Sequence, residues 1–288
     1  MKKFNSIASL RLYLDAQRQE GLEIGLVPTM GALHAGHFEL IKRSQSENDL
    51  TVVSVFVNPA QFNNPEDLQK YPRNVEEDLS KLENLGCDAV FTPGNEEMYS
   101  HEAILSFNVG YLDSIMEGRF RPGHFSGVAL VVAKLFNIIE PAKAYFGQKD
   151  LQQLILVKYL VKELNFQTQI VGVPIVREES GLAMSSRNKR LSDAQLEIAK
   201  NIYSGLKLVA EKLNTSISIK DAQKMGKQFY ADVEDFELEY LEIVDGQNLA
   251  ALGDEPSSDT EIAICVAGFV GDVRLLDNIC FPLKDSTL

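Results

Sequence analysis

The 288-residue chain has no tryptophan and only three cysteines, Cys87, Cys265 and Cys280, which are far apart and form no CxxC pair. Thiols so few and scattered cannot build a disulfide framework, and they point to a reducing cytoplasm. Basic charge is scarce as well. Lys and Arg number 28 against 41 Asp and Glu, a net charge of −13, and the segments on either side of Val176 are both acidic. The average field of such a chain repels DNA and RNA, so no nucleic-acid partner is expected. No apolar run approaches the ~20 residues that a bilayer span requires. Asn5, Ser6, Arg11 and Asp15 interrupt the leader that Met1-Lys2-Lys3 could otherwise open, so no membrane partner is expected either. Low-complexity tracts and internal repeats are missing too. What remains is an ordinary globular composition, 45% hydrophobic and 24% charged, in a chain long enough for two domains.

The first two-thirds alternates helical and strand-like segments. Ile7–Gln19 carries apolar residues at helical spacing behind Ser6, a candidate N-cap. Leu22–Val27 is short and apolar, followed by a Gly/Pro-rich turn and an amphipathic run from Phe38 to Ser46. Thr51–Val57 is a continuous β-branched run, the pattern of a strand buried on both faces. Helix over Val75–Leu85, strand over Ala89–Thr92, helix over Val128–Ile139, then Ala144–Gly147, Leu151–Leu164 and Gln169–Val173 continue the beat. Such alternation predicts an α/β fold, a Rossmann-like doubly wound parallel sheet, over residues 1–176. The texture then changes. Ser192 and Gln195 form a capping box opening a helix to Leu213, and a second helix covers Ile219–Ala231. Phe236–Val244, Ile262–Ala267 and Val273–Ile279 read as hairpin strands, so residues 177–288 are expected to form a smaller α+β domain.

Three segments could carry chemistry. Val27-Pro-Thr-Met-Gly-Ala-Leu-His-Ala-Gly-His37 directly follows the first buried strand. Gly31 and Gly36 allow close backbone approach, the next helix offers free N–H groups to a phosphate, and His34 and His37 share one face. A turn whose histidines merely cap the helix fits the same residues. A metal pair does so weakly, because HxxH lacks a third ligand nearby. Phe146-Gly147-Gln148-Lys149-Asp150 places a lysine at a strand's carboxyl end, where open α/β sheets bind ligands. An exposed lysine opening an ordinary helix is the alternative. Met184-Ser185-Ser186-Arg187 brings two hydroxyls and a guanidinium together, a phosphate clamp or a serine-rich linker.

Taken in order with Val53–Asn63, Tyr71–Leu79 and Glu117–Val128, these segments resemble the pantoate–β-alanine ligase family, of the nucleotidyltransferase superfamily that includes class I aminoacyl-tRNA synthetases. The resemblance covers Ile24 to about Leu191, and no motif position departs from the family pattern. It implies an ATP site lined by Met30, Gly31, Ala32, Leu33, His34, Ala35, Gly36 and His37, with both histidines on the phosphates and His37 as catalytic acid. It further implies that Gly147, Gln148, Lys149, Asp150, Met184, Ser185, Ser186 and Arg187 flank ATP, with Lys149 and Arg187 catalytic. Val176 would meet adenine through its backbone. Gln61 and Gln153 would hold pantoate, and Gln61 would also meet β-alanine. Glu77 and Asp78 are implied near Mg²⁺, although solvated helix residues would look the same. A homodimer and a C-terminal domain that lies as a lid over the active site follow from the resemblance alone.

The residue types suit the implied chemistry, ATP-dependent amide formation through a pantoyl adenylate with release of pyrophosphate and AMP. Positioning and neutralisation of phosphate charge suffice for it, and no covalent enzyme intermediate is needed. Gln61 and Gln153 are neutral and can grip a hydroxy acid by both donor and acceptor. A nucleotidyltransferase acting on another small acceptor and a non-catalytic nucleotide-binding protein are the alternatives. Two glutamines argue against a phosphorylated acceptor, and the full set of His34, His37, Lys149 and Arg187 argues against a decayed site. Of the other histidines, His101 reads as surface, and His124 lies in a Gly-rich loop that could border the cleft.

Overall fold

A computed structural model describes residues 1–215, 217–254 and 260–282. The chain divides into two units, Met1–Gln148 with Gln152–Pro174, and Lys149–Leu151 with Ile175–Leu288. Lys149–Leu151 group with the second unit, apart from the segments that flank them in sequence. One reason is visible there: the Asn278 amide donates to the Lys149 carbonyl at 2.8 Å. Residues 283–288, counted with the C-terminal domain from sequence, lie outside the described residues.

In the first unit the strands are β1 (Lys2–Phe4), β2 (Ile24–Thr29), β3 (Leu50–Val55), β4 (Ala89–Phe91), β5 (Lys143–Gly147) and β6 (Gln169–Val173). The helices are α1 (Ile7–Gln19), α2 (Ala35–Glu47), α3 (Pro65–Lys70), α4 (Val75–Asn84), α5 (Asn95–Met98), α6 (Met116–Phe120), α7 (His124–Ile139) and α8 (Leu151–Leu164). All sheet pairings are parallel, in the order β1-β4-β3-β2-β5-β6. Every residue of β3 is buried, which is why its sequence is a continuous run instead of an alternating one. The chain winds one way from β2 to β3 and the other way to β5. The carboxyl ends of β2 and β5 therefore form a topological switch point, where sheets of this kind bind ligands. Val27, Val53, Val90 and Tyr145 are fully buried at the centre of one face.

The second unit contains α9 (Asp193–Leu213), α10 (Ile219–Ala231) and an antiparallel meander of β7 (Phe236–Asp245), β8 (Glu261–Val270) and β9 (Val273–Pro282). The expected capping box is present: Ser192 Oγ accepts from the Gln195 N–H while Gln195 Oε1 accepts from the Ser192 N–H. Leu206, Val209, Tyr230, Ile264 and Val270 make a common core between helices and sheet. Tyr230 fits because residue 205 is glycine; a Cβ there would stand 2.4 Å from the Tyr230 ring.

Candidate active site

The histidine turn leaves the carboxyl end of β2. His34 is extended (φ −138°, ψ 176°) and caps α2, its Nδ1 accepting from the Gly36 N–H at 3.2 Å. His37 reaches back, its Nδ1 accepting from the His34 N–H at 3.3 Å. This is a capping box built from two imidazoles, with ring centroids 4.1 Å apart. The capping and phosphate readings of these residues are thus compatible. A nitrogen that accepts a hydrogen bond carries no proton, so in each neutral ring the hydrogen sits on Nε2. The cap fixes the tautomer, and Nε2 is the donor end of both rings. Met30, Ala35 and Gly36 are half-buried around them, whereas Gly31, Ala32 and Leu33 are buried.

Gln61 lies in the turn Pro59–Gln61 that follows β3, and it is 6% exposed. Its Oε1 accepts from Asn58 Nδ2 at 3.1 Å, and its Nε2 donates to Met30 Sδ at 3.2 Å. The backbone on either side is held as firmly. His124 Nδ1 bonds the Gln61 carbonyl at 2.8 Å, and only an N–H can do so, which leaves His124 Nε2 to accept from Arg121 at 3.1 Å. Asn58 Nδ2 also donates to the Gly127 carbonyl (3.1 Å), and Asn58 Oδ1 accepts from the Tyr99 hydroxyl (2.8 Å). Burial pushes the Tyr99 phenol up to about 12, so it stays protonated and donating at neutral pH. Gly127 makes the approach possible, since a Cβ there would lie 2.2 Å from the Ala60 carbonyl oxygen. Gln153, in the first turn of α8, is half-buried. Its neighbour Gln152 instead braces residues 112–117, accepting from the Glu117 N–H and donating to the carbonyls of Leu112 and Ile115.

In the second unit Lys149, Ser185, Arg187, Arg274 and Asp277 line one cleft. Ser185 caps the short 3₁₀ turn Ser186–Arg190, its Oγ accepting from the Arg187 N–H at 3.2 Å. Ser186 is buried, and Met184 is half-buried. The Val176 carbonyl accepts from the Met184 N–H at 2.9 Å, so one backbone acceptor of the expected adenine contact is already engaged. Behind the cleft, Arg177 donates twice to Asp277 (2.6 and 3.1 Å) and lies 4.0 Å over the Tyr203 ring. Burial raises the Asp277 carboxyl while the Arg177 hydrogen bonds and charge pull it down. Gly147 and Gln148, at the end of β5, are half-buried, and Asp150 is exposed.

The two expected magnesium carboxylates do not fit a resident ion. Asp78 is 2% exposed and uses both oxygens on backbone, accepting from the N–H groups of Ala32 and Leu33 at 2.8 Å each. Glu77 sits at the helix surface, paired with Lys81 and accepting from Asn74 Nδ2 at 3.0 Å. Among the described residues no three His, Cys, Asp or Glu side chains gather as a metal-ligand group. Asn58, Asp277 and Asn278 escaped the sequence reading. Asn58 lies three residues before Gln61 within Val53–Asn63, and that nearness is the one signal the sequence offers for it.

A helix capped at the switch point of a parallel sheet is the arrangement of nucleotide-binding α/β proteins. The sequence pattern of the pantoate-beta-alanine ligase family matches residues 2–280, and the chain belongs to that family. It is similar to the pantothenate synthetases of Cytophaga hutchinsonii (49% identical over 98% of this chain and 100% of that one) and Bacteroides thetaiotaomicron (48% over 97% and 98%). Among solved structures it resembles the pantothenate synthetase of Thermus thermophilus, with TM-score 0.90, 42% identity, and coverage of 97% and 99%. It also resembles the Francisella tularensis pantoate-beta-alanine ligase, complexed with beta-gamma ATP and beta-alanine, with TM-score 0.80, 35% identity and 97% of each chain covered.

Proposed function

We propose that this ligase condenses pantoate with β-alanine at the cost of ATP, through a pantoyl adenylate. A pantoate carboxylate oxygen attacks the α-phosphorus, the bond to the bridging oxygen breaks, and pyrophosphate leaves. The β-alanine nitrogen then attacks the acyl carbon, AMP leaves, and the amine gives up a proton. The observation that carries this reading is the imidazole capping box, which presets two Nε2–H donors for oxygens whose charge grows during transfer. His37 serves as the acid end of that pair. Lys149, Ser185 and Arg187 add cationic and hydroxyl donors to the nucleotide phosphates. Gln61 and Gln153 receive pantoate, Gln61 also meeting the β-alanine amine, and the brace around Gln61 sets its amide before substrate arrives. Magnesium, when present, enters with the nucleotide, and no step is assigned to it. The enzyme works in the cytoplasm as a homodimer, as the family resemblance implies.

Incubation with ATP and pantoate, without β-alanine, tests the reading. Bound pantoyl adenylate with one pyrophosphate, identified by mass spectrometry, is the expected result. Release of ADP and phosphate would mean an acyl-phosphate route and overturn it.

A further inference from the structure

A carboxylate buried without donors is electrostatically unfavourable, and Asp78 is 2% exposed. Its contacts give the reason for its presence. Oδ2 accepts from the Ala32 N–H and Oδ1 from the Leu33 N–H, while Lys81, three residues on along α4, donates through Nζ to the Leu33 carbonyl at 2.9 Å. The backbone held this way is strained. Gly31 has φ +79° and Ala32 φ +51°, and a left-handed alanine persists only where its surroundings impose it. A Cβ on Gly31 would lie 2.9 Å from Asp78 Oδ2. Leu33 is bonded directly to His34, the residue that caps α2 and orients both imidazoles.

We propose that Asp78, seconded by Lys81, is a positioning residue that holds the turn of residues 31–33, left-handed at Gly31 and Ala32, and so aims His34 and His37, and that it is not a magnesium ligand. The Ala32 and Leu33 N–H groups are then not phosphate donors, because the carboxylate already takes them. The kinetic half of this inference rests on the function proposed above; the structural half does not.

Asp78→Asn keeps the shape and loses one acceptor. In nucleotide-free, metal-free protein, NMR-detected exchange of the Ala32 or Leu33 amide is expected to quicken by about tenfold or more, with α9 amides unchanged. Single-turnover adenylate formation is expected to fall by about tenfold or more at saturating Mg²⁺, with the Mg²⁺ midpoint unmoved. A raised midpoint with full rate restored at high Mg²⁺ would make Asp78 a metal ligand and overturn the proposal, as would unchanged amide exchange. Should Asp78→Asn not fold, Lys81→Met decides: faster Leu33 exchange and a slower adenylate step support the proposal, and wild-type values for both overturn it. A wild-type protein that forms no adenylate at all would instead remove the proposed function, leaving the exchange result to stand by itself.

Discussion

The corner around Gln61 and the corner behind the Lys149 cleft are both buried and polar, yet they are braced by opposite means. Around Gln61 the principal partners are neutral: an amide, a phenol, an imidazole tautomer and backbone carbonyls. Behind the cleft the brace is ionic, with Arg177 on Asp277 and Arg274 on Glu239. Neutral hydrogen bonds are individually modest, and the Asn58 amide and the Tyr99 phenol bring no charge to this corner at neutral pH. A buried ion pair is costly to desolvate, and losing one partner strands the other. The first brace thus rests on shape and hydrogen-bond geometry more than on opposite charge. The second ties the cleft's stability to both partners of each ion pair.

The largest effect is expected at the ionic corner. Asp277→Ala strands a guanidinium that is 18% exposed, and urea unfolding is expected to show a loss of about 3–5 kcal/mol. Replacing both partners together (Arg177→Met with Asp277→Leu) is expected to recover most of that. A double variant no better than the single one would break the comparison. Next in size, His37→Ala removes a preset donor and is expected to slow single-turnover adenylate formation about 10²-fold while the melting temperature changes little. An intact rate would reduce the histidine box to a helix cap.

The neutral corner should respond more gently. Gln61→Ala, Gln153→Ala and Asn58→Ala are each expected to weaken pantoate binding by about 1–3 kcal/mol, with ATP affinity by calorimetry nearly unchanged. Equal loss of ATP binding would move these residues to the nucleotide site. Tyr99→Phe sharpens the contrast at the smallest scale, since it costs about 1 kcal/mol at neutral pH by removing one hydroxyl donor. The Tyr99 phenol rises from 10.0 to about 12 on folding. Between those values the unfolded chain releases the proton and the folded chain retains it, so stability is whole below 10 and declines as pH climbs through the window. Melting scans from pH 8 to 12 should therefore fall less steeply in Tyr99→Phe than in wild type. Some decline remains, because burial also pushes Tyr145 up to about 12.

Local chemistry was the legible part of this chain. Ser6 and Ser192 announced α1 and α9, and α10 spans Ile219–Ala231 as expected. The helix expected from Phe38 begins instead at Ala35, because His34 itself is the cap, and imidazole is an unusual capping group. The strand expected over Thr51–Val57 stops at Val55, and the helix expected from Val128 starts at His124, behind a left-handed Gly123. Lys149 stands two residues past the end of β5, and its carbonyl's tie to Asn278, 129 residues away, leaves no trace in local pattern.

The sequence by itself determined the order of elements, the parallel sheet, the histidine turn and the membership in a ligase family, because each is written in short-range spacing or in motif order. Tertiary structure alone decided which nitrogen of each histidine carries the proton, that Gln61 is braced by Asn58 and His124, and that Asp78 closes on the Ala32 turn instead of standing in solvent. A carboxylate at helical position 78 looks the same in sequence whether water or two backbone N–H groups surround it. Only the folded path of α4 past the end of β2 brings those N–H groups within 2.8 Å, and burial then makes the bond worth keeping.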